Sequence, residues 1–335
     1  PRLILENNLY GIDIDTRAAQ LASFALLMKA REDDRRLFSN PPKLNIIALQ
    51  GSQPERLDAF SQDLANTGIA QADLKELLEL FEHASTFGSL IQVPATFAQK
   101  LPELESKLNA ALASGDIFSQ QSAQELLPLV QQAKLLAKQY DAVIANPPYM
   151  GGKGMNTALK DFAKKQFPDS KSDLFSMFME RNLKLTNESG HLGFMTPFTW
   201  MFLSSYEKLR KLLLEKHTLN SLVKPSYTAF FDSAIVAICA FVVSKTHLGD
   251  WKGSFFDLEY LGNANEQSPR FLKQLKDKSY FLCKNNDFKK IPGSPIAYWV
   301  SDKVREIFCK NSSIKDFSKG STGLQTSDGE RFIRI

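Results

Sequence analysis

The chain has 335 residues, of which 43% are apolar and 23% are charged. These proportions are typical of a globular protein with one large or two modest domains. The sequence has no run of about 20 apolar residues, so we expect no membrane-spanning helix. Three cysteines and four histidines are scattered without metal-ligand spacing. We therefore expect no bound metal, and reduced thiols as in a cytoplasmic protein.

The net charge of +4 is unevenly distributed along the chain. Residues 1–150 contain 13 Lys and Arg against 18 Asp and Glu, whereas residues 151–250 contain 13 against 9 and residues 251–335 contain 15 against 10. An excess of basic residues after residue 150 would suit a polyanion-binding surface. An ordinary lysine-rich surface explains the same counts equally well.

The predicted elements begin with strand, helix and strand. Residues 9–15 form a short predicted strand that ends in acids, and Thr16 is the expected N-cap of a helix over 18–30. A second strand is predicted over 44–50. This order predicts a parallel pair of strands in an α/β sheet.

From residue 54 to 140 the pattern changes to helices rich in Leu, Ala, Gln, Glu and Lys. Helical periodicity is clearest over 71–83 and 121–140, and we find no strand pattern in this segment. We interpret the segment as a helical insertion in a nucleotide-binding core. Bracing of another domain and docking of a partner remain open as its role.

An apolar run over residues 141–145 precedes the tetrapeptide Asn146-Pro147-Pro148-Tyr149. The run is typical of a buried strand, and two prolines cannot continue its hydrogen bonds. The chain must therefore leave the sheet at the carboxyl end of the strand, where open α/β sheets bind ligands. The Asn146 side-chain oxygen and the Pro147 carbonyl could accept both hydrogens of a planar NH2 group, while Tyr149 stacks on its ring.

A glycine-rich loop over residues 150–156 follows the tetrapeptide. It lacks the terminal Lys-Ser/Thr of a P-loop and is not expected to open a helix, so we interpret it as a mobile flap that brings Lys153 near nucleic-acid phosphate. An amphipathic helix is predicted over 173–184, with Asp173 as its cap. Further predictions are strands over 190–196, 219–224 and 235–243 and a helix over 204–216. Beyond about Lys245 we expect the alternation of helix and strand to stop.

The tetrapeptide is the signature of S-adenosylmethionine-dependent methyltransferases that act on amine or amide nitrogens, and this sequence resembles that family. The resemblance implies an α/β, class I (Rossmann-like) methyltransferase fold with a largely parallel central sheet, a helical insertion and a carboxyl-terminal extension. It implies catalytic roles for Asn146, Pro147, Pro148 and Tyr149, with Asn146 also lining the cofactor site. Phe231 resembles a second aromatic that, with Tyr149, stacks on the target base, although a core role would explain a phenylalanine there equally well.

The resemblance also implies a cofactor site near the first two strands. Asp13, with Ile14 beside it, matches the acid that holds the cofactor ribose. Asp13 and Asp15 could instead only cap the following helix, which suits Asp15 better. The second strand does not end in the usual acid, so Gln50 or Ser52 would have to contact the cofactor adenine.

One family element is missing from this sequence. The glycine-rich first motif should precede the strand at residue 9, and only eight residues stand before it. We therefore expect a fragment rather than a permuted fold, and we expect the isolated fragment to be inactive. The predicted segments are the first part of the methyltransferase core (1–53), the helical insertion (54–140), the second part of the core (141–248), and a linker with the start of a target-recognition region (249–335).

Within this superfamily, residues 146–156 are similar to the PglX-type adenine-specific DNA methyltransferases of bacterial BREX phage-exclusion systems. Residues 320–326 and 331–334 look like the entry to the target-recognition region of that family. The resemblance implies transfer of methyl from S-adenosylmethionine to N6 of a flipped-out adenine in double-stranded DNA, which marks host DNA, with other phage-exclusion proteins as partners. Methylation of protein glutamine or of ribosomal RNA amines, and a non-catalytic DNA-recognition role, remain alternatives.

Overall fold

The protein is described by a computed structural model. The described residues are 1–228, 237–258, 264–312 and 317–318. Backbone contacts divide the chain into two compact units, of which the first comprises residues 1–196 and 244–246. The second unit comprises the described parts of 197–243 and of the chain from residue 247 onward. The domain boundaries inferred from the sequence stay predictions.

The elements are numbered in chain order. The helices that precede residue 186 are α1 (Arg2–Asn7), α2 (Thr16–Asp33), α3 (Leu57–Asp63), α4 (Gln71–Phe81), α5 (Ala84–Phe87), α6 (Ala95–Ala98), α7 (Leu101–Leu112), α8 (Ile117–Ala137), α9 (Thr157–Gln166) and α10 (Leu174–Leu185). The later helices are α11 (Glu207–Lys216), α12 (Ala264–Asp277), α13 (Asn285–Lys289) and α14 (Asp302–Lys310). The strands are β1 (Tyr10–Asp13), β2 (Asn45–Ala48), β3 (Tyr140–Ala145), β4 (Thr186–Pro197), β5 (Thr218–Lys224), β6 (Ile238–Ser244), β7 (Lys252–Asp257) and β8 (Phe281–Lys284).

Strands β1 and β2 pair in parallel and are connected by α2, as the sequence predicts. The N-cap of α2 is Asp15 and not Thr16, so that prediction was wrong by one residue. The Asp15 carboxylate accepts hydrogen bonds from the N–H groups of Arg17 (2.7 Å) and Ala18 (2.9 Å). The backbone of Asp15 is extended, whereas Thr16 is already helical, and an N-cap needs the extended conformation.

The segment between β2 and β3 contains only helices, as expected. Their buried apolar side chains form one core, which includes Leu77, Phe81 and Val130. Ile12 of β1 and Ile47 of β2 pack against this core. The helical segment therefore covers one face of the β1–β2 pair, and the apolar contact is part of what holds that pair in place.

A buried arginine joins this helical segment to α10. Arg181 donates hydrogen bonds from Nε to the Ser89 carbonyl (3.0 Å) and from Nη2 to the Leu136 carbonyl (2.9 Å). Burial lowers the pKa of the Arg181 guanidinium to about 10. Because the last carbonyls of a helix have no partner within it, the bond to Leu136 also satisfies the carboxyl end of α8.

Strands β3 and β4 pair in parallel, with Ala145 opposite Phe194. In the second unit the strand order is β6-β5-β7-β8. The β5–β7 pair is parallel and the β7–β8 pair is antiparallel. Together with the intervening helices, these pairs confirm the predicted α/β class with a largely parallel arrangement. Among the described residues, no helix is long and apolar enough to cross a membrane.

The expectation that the alternation stops near Lys245 was wrong, because β7 and β8 lie beyond it. Strand β7 lies between β5 and β8, and its neighbouring residues Phe255 and Phe256 are both buried. A strand that is covered on both faces has no polar–apolar alternation, so its sequence pattern is weak.

Candidate active site

The tetrapeptide lies directly after the last residue of β3, as predicted. The expectation that this strand is buried was wrong, because no residue of β3 is buried and Ile144 exposes 85% of its surface. Pro147 and Pro148 have no N–H group, so the ladder with β4 cannot continue past Ala145. Asn146 and Tyr149 are exposed, whereas Pro147 is buried. The chain thus presents a carboxamide and an aromatic ring at the carboxyl end of a parallel strand, which is where α/β proteins bind ligands.

The hydroxyl of Tyr149 connects the two ends of the tetrapeptide. It lies within hydrogen-bond distance of the Asn146 Oδ1 atom (3.2 Å) and of the Met195 carbonyl on β4 (3.3 Å). The ring packs edge-on against Phe175, with 6.4 Å between centroids. Tyr149 nevertheless exposes 44% of its surface, which leaves a large part of the ring available to a planar ligand.

The start of α10 contacts the residues that follow Tyr149. The Met150 N–H donates to the Asp173 carboxylate (3.0 Å), and the Leu174 N–H donates to the Met150 carbonyl (3.0 Å). Asp173 is the N-cap of α10, as predicted. Burial raises the pKa of the Asp173 carboxyl. This effect is larger than the opposite effect of the backbone N–H groups, which stabilise the charged form and lower the pKa. The sequence showed the cap but not its contact with the tetrapeptide.

The glycine-rich loop forms a tight turn in which the Gly154 N–H donates to the Gly151 carbonyl (2.9 Å). Helix α9 begins only three residues later, with the Asn156 side chain as its N-cap. The expectation that this loop does not open a helix was therefore wrong. Lys153 is exposed in the turn, so its ammonium group is accessible to an anion.

Asp13 lies at the carboxyl end of β1 and is exposed. Its Oδ1 atom accepts the Asp15 N–H (2.8 Å), and its main-chain carbonyl accepts the Leu49 N–H (2.8 Å). The ends of β1 and β2 therefore lie side by side. Asp15 performs the helix-capping role, so the Asp13 carboxylate is not needed to cap α2.

Ile14 contacts a turn in the helical segment. A Cβ atom at Gly88 would lie 2.9 Å from Ile14 Cγ2, and Gly88 has a φ of 55°. This is a conformation that glycine adopts at little cost. The neighbouring Phe87 stacks on Phe162 of α9, with 4.1 Å between ring centroids. One short turn thus contacts both the residue after β1 and the helix that follows the glycine-rich loop, which the sequence did not indicate.

Gln50 and Ser52 are held by the helical segment. The buried side chain of Gln132 bonds both the N–H and the carbonyl of Gln50, each at 2.9 Å. The Ser52 hydroxyl donates to the Leu78 carbonyl. The Gln50 side chain is exposed, whereas the Ser52 hydroxyl proton is already engaged. Phe231, the predicted second aromatic, lies outside the described residues.

The sequence matches the Eco57I restriction-modification methylase family over residues 7–231. The chain belongs to this family. The methylase-family chain is 45% identical to the adenine-specific methyltransferase BrxX of Escherichia coli O9:H4 (strain HS), over 98% of the chain and 29% of the relative. It is 34% identical to the adenine-specific methyltransferase PglX of Lacticaseibacillus casei (strain Zhang), over 99% of the chain and 28% of the relative. The chain therefore spans less than a third of the length of these two relatives.

Among solved structures, a class I S-adenosylmethionine-dependent methyltransferase of Listeria monocytogenes aligns with 67% of this methylase-family chain and 99% of its own length. The identity is 15% and the TM-score is 0.33. The family match agrees with the methyltransferase fold that the tetrapeptide implied.

The structure brings the predicted residues of the methylase site together in two groups. Asn146 to Tyr149 form one group at the end of β3, with Asp173 beside it. Asp13, Gln50 and Ser52 lie at or just beyond the ends of β1 and β2. Among the described residues, no group of three or more His, Cys, Asp or Glu side chains could hold a metal ion.

Proposed function

We propose that this chain carries the catalytic site of a DNA methyltransferase that transfers a methyl group from S-adenosylmethionine to N6 of a flipped-out adenine. Family membership and the names of the two relatives support adenine as the target. Because the chain is much shorter than those relatives, the activity is proposed for the protein as a whole.

The exposed carboxamide of Asn146, 3.2 Å from the hydroxyl of an exposed Tyr149, is the observation that carries the proposal. An arylamine nitrogen is a weak nucleophile because its lone pair is delocalised into the ring. The Asn146 oxygen has two lone pairs, so it can accept an amine hydrogen even while it accepts the tyrosine hydroxyl. The Pro147 carbonyl is the proposed acceptor of the second hydrogen. Both oxygens stabilise the positive charge that develops on the nitrogen during methyl transfer.

Removal of the base from the duplex costs a few kcal/mol in lost pairing and stacking. Stacking of the base on the Tyr149 ring recovers part of this cost, and Phe231 is the proposed second aromatic. The carbonyls and the carboxamide supply acceptors but no strong base. No base has to remove a proton beforehand, because the amine nitrogen would lose one proton to water only after it has gained the methyl group.

The residues at the ends of β1 and β2 fit a cofactor with a ribose and an adenine. The Asp13 carboxylate is exposed and caps no helix, so it can accept two hydroxyl groups. Gln50 or Ser52 is the proposed contact of the cofactor adenine, and Ile14 and Asn146 are further residues that would contact the cofactor. The bound cofactor supplies a methyl group that is activated by a positively charged sulfur.

The proposed biological role is the marking of host DNA in phage defence, in the cytoplasm and with other phage-exclusion proteins. This role follows from the resemblance to PglX-type enzymes and from the names of the relatives. Lys153 is the proposed contact to DNA phosphate, since it is exposed in the turn after the tetrapeptide.

The test is methyl transfer by the full-length protein, with labelled cofactor and with double-stranded DNA, ribosomal RNA or release factor as separate substrates. We expect label in DNA, at adenine N6. Asn146→Ala should reduce kcat by about 100-fold or more, as does loss of one preorganised group at a transition state. Asn109→Ala, an exposed asparagine in the helical segment, is the matched control and should keep full activity.

Each alternative function has its own outcome in this experiment. Label in RNA or in protein glutamine, with none in DNA, would replace the proposed substrate. DNA binding without label in any substrate would favour a recognition subunit. Normal rates for Asn146→Ala would exclude the proposed role of the carboxamide.

A further inference from the structure

We propose that Asp173 is a positioning residue for methyl transfer, because its carboxylate holds the backbone directly after Tyr149 on the first turn of α10. This inference rests on the proposed function. It concerns a residue that lies 24 positions beyond the tetrapeptide and that sequence analysis identified only as a helix cap.

One carboxylate oxygen of Asp173 makes two contacts. Its Oδ1 atom accepts the N–H of Phe175 (3.3 Å), which is the N-cap bond of α10, and the N–H of Met150 (3.0 Å). The same oxygen thus orders the helix and fixes the residue that follows Tyr149. A helix cap alone needs only the first of these bonds.

The backbones of the two segments are also paired. The Leu174 N–H donates to the Met150 carbonyl (3.0 Å), and Gly151 and Asp173 form an antiparallel bridge. A Cβ atom added at Gly151 would lie 3.5 Å from Asp173 Oδ2, so the second carboxylate oxygen lies beside the loop. The partly buried Asp173 carboxylate therefore lies between the loop and the helix.

The base-stacking ring contacts the same helix turn. Tyr149 packs edge-on against Phe175, which is buried and cannot move without disturbing the core. The tetrapeptide is anchored by the β3–β4 ladder at its start and by Asp173 at its end. Asn146, Pro148 and Tyr149 lie between these anchors and are exposed.

Both anchors are needed to fix the position of residues 146–149. Loss of the Asp173 carboxylate should therefore let Asn146 and Tyr149 shift. A misplacement of about 1 Å can reduce a rate by roughly 100-fold, even when the reacting groups are intact. Asp173 does not contact the reacting atoms in this scheme. It acts through the position of Tyr149 and Asn146.

The test compares Asp173→Ala, Asp173→Asn and Asp116→Ala in the full-length protein. Asp116 is the N-cap of α8 and accepts the Ser119 N–H (3.2 Å), so its alanine variant loses the same kind of cap in a different helix. Asn keeps the acceptor oxygen that Met150 and Phe175 use. We expect Asp173→Ala to lower kcat by about 10- to 100-fold with an unchanged KM for the cofactor. Asp173→Asn and Asp116→Ala should keep the wild-type kcat.

Equal kcat for Asp173→Ala and Asp116→Ala would overturn the inference, as would an Asp173→Asn variant that is as slow as Asp173→Ala. A wild-type protein that transfers no methyl to DNA would instead contradict the proposed function. Amide hydrogen exchange then tests directly whether the Asp173 carboxylate holds the backbone after Tyr149. Faster exchange at Met150 and Gly151 in Asp173→Ala than in Asp116→Ala supports it, and unchanged exchange overturns it.

Discussion

The hydroxyl of Tyr149 lies 3.2 Å from the side-chain oxygen of Asn146 and at a similar distance, 3.3 Å, from the Met195 carbonyl. A phenol has one proton and donates to one of these acceptors at a time. When it donates to Met195, both lone pairs of the Asn146 oxygen are open to a substrate amine. The aromatic residue of the tetrapeptide can therefore release the carboxamide without moving its ring.

This relationship separates the roles of the Tyr149 ring and hydroxyl. Tyr149→Phe keeps the ring and should leave kcat/KM for DNA within about tenfold of wild type, since a neutral hydrogen bond contributes only about 1 kcal/mol. Tyr149→Ala loses stacking worth about 1–3 kcal/mol, so kcat/KM should fall by roughly 10- to 100-fold. Steady-state kinetics on a methylatable duplex measures both. An equal loss in the two variants would show that the hydroxyl, not the ring, binds the base.

The two acids at the carboxyl end of β1 and just beyond it, Asp13 and Asp15, should differ in their effect on cofactor binding. Asp13→Asn removes the charge that the ribose hydroxyls would meet, so the cofactor Kd should rise by about 10-fold or more. The change keeps an acceptor for the Asp15 N–H. Asp15→Asn keeps the N-cap of α2 and should leave the Kd unchanged. Calorimetric titration of the full-length variants measures both constants, and an unchanged Kd for Asp13→Asn would remove Asp13 from the cofactor site.

Lys153 should contribute to DNA affinity through phosphate and not through base identity. Lys153→Gln should weaken binding to all duplexes equally and should reduce the slope of log K against log salt by about 0.9. Lys75→Gln is the control, because Lys75 is exposed in the helical segment and pairs with Glu79. Fluorescence anisotropy over a salt series gives the two slopes. Identical slopes for wild type and Lys153→Gln would exclude the phosphate contact.

Two helix caps should respond to pH in opposite directions. Burial raises the pKa of Asp173, so the folded protein keeps its proton to higher pH than the unfolded chain does. Stability from this group therefore falls as pH rises from about 3.9, the unfolded pKa, through the folded pKa. An asparagine does not ionise, so Asp173→Asn does not lose stability as pH rises. The free energy of unfolding of this variant should therefore exceed the wild-type value at neutral pH. The difference should vanish at low pH.

Asp116 provides the opposite case. The Ser119 hydroxyl holds the pKa of Asp116 below its ordinary value. Its contribution to stability is present at neutral pH and is lost as pH falls through the folded pKa. Asp116→Asn should therefore be less stable than wild type at neutral pH. Urea titrations over the acidic to neutral range check both variants, and shifts of the same sign would contradict the assignment.

Several features of this fold follow from short-range rules. The break after β3 follows from two consecutive prolines, which lack the N–H that a ladder needs. The acid after β1 and the cap of α10 also follow from local sequence, although the cap of α2 was misplaced by one residue. Helix α9 was not anticipated, because the glycine-rich loop before it is a poor start signal. Its Leu159 and Ala163 are nevertheless buried against Met155 and Phe167.

The sequence by itself determined that an amide, two prolines and a tyrosine follow a strand at its carboxyl end, where α/β sheets bind ligands. Its prediction that this strand is buried was wrong. Only the tertiary structure decided what surrounds them: Asp173 against Met150, Gln132 around Gln50, and the turn at Gly88 against Ile14. These partners lie 23 to 82 residues apart in the chain. Backbone rules act over a few neighbouring residues, whereas burial and hydrogen bonding depend on which distant segments meet. The tetrapeptide could therefore be predicted from the sequence, whereas the residues that hold it in place could be identified only in the structure.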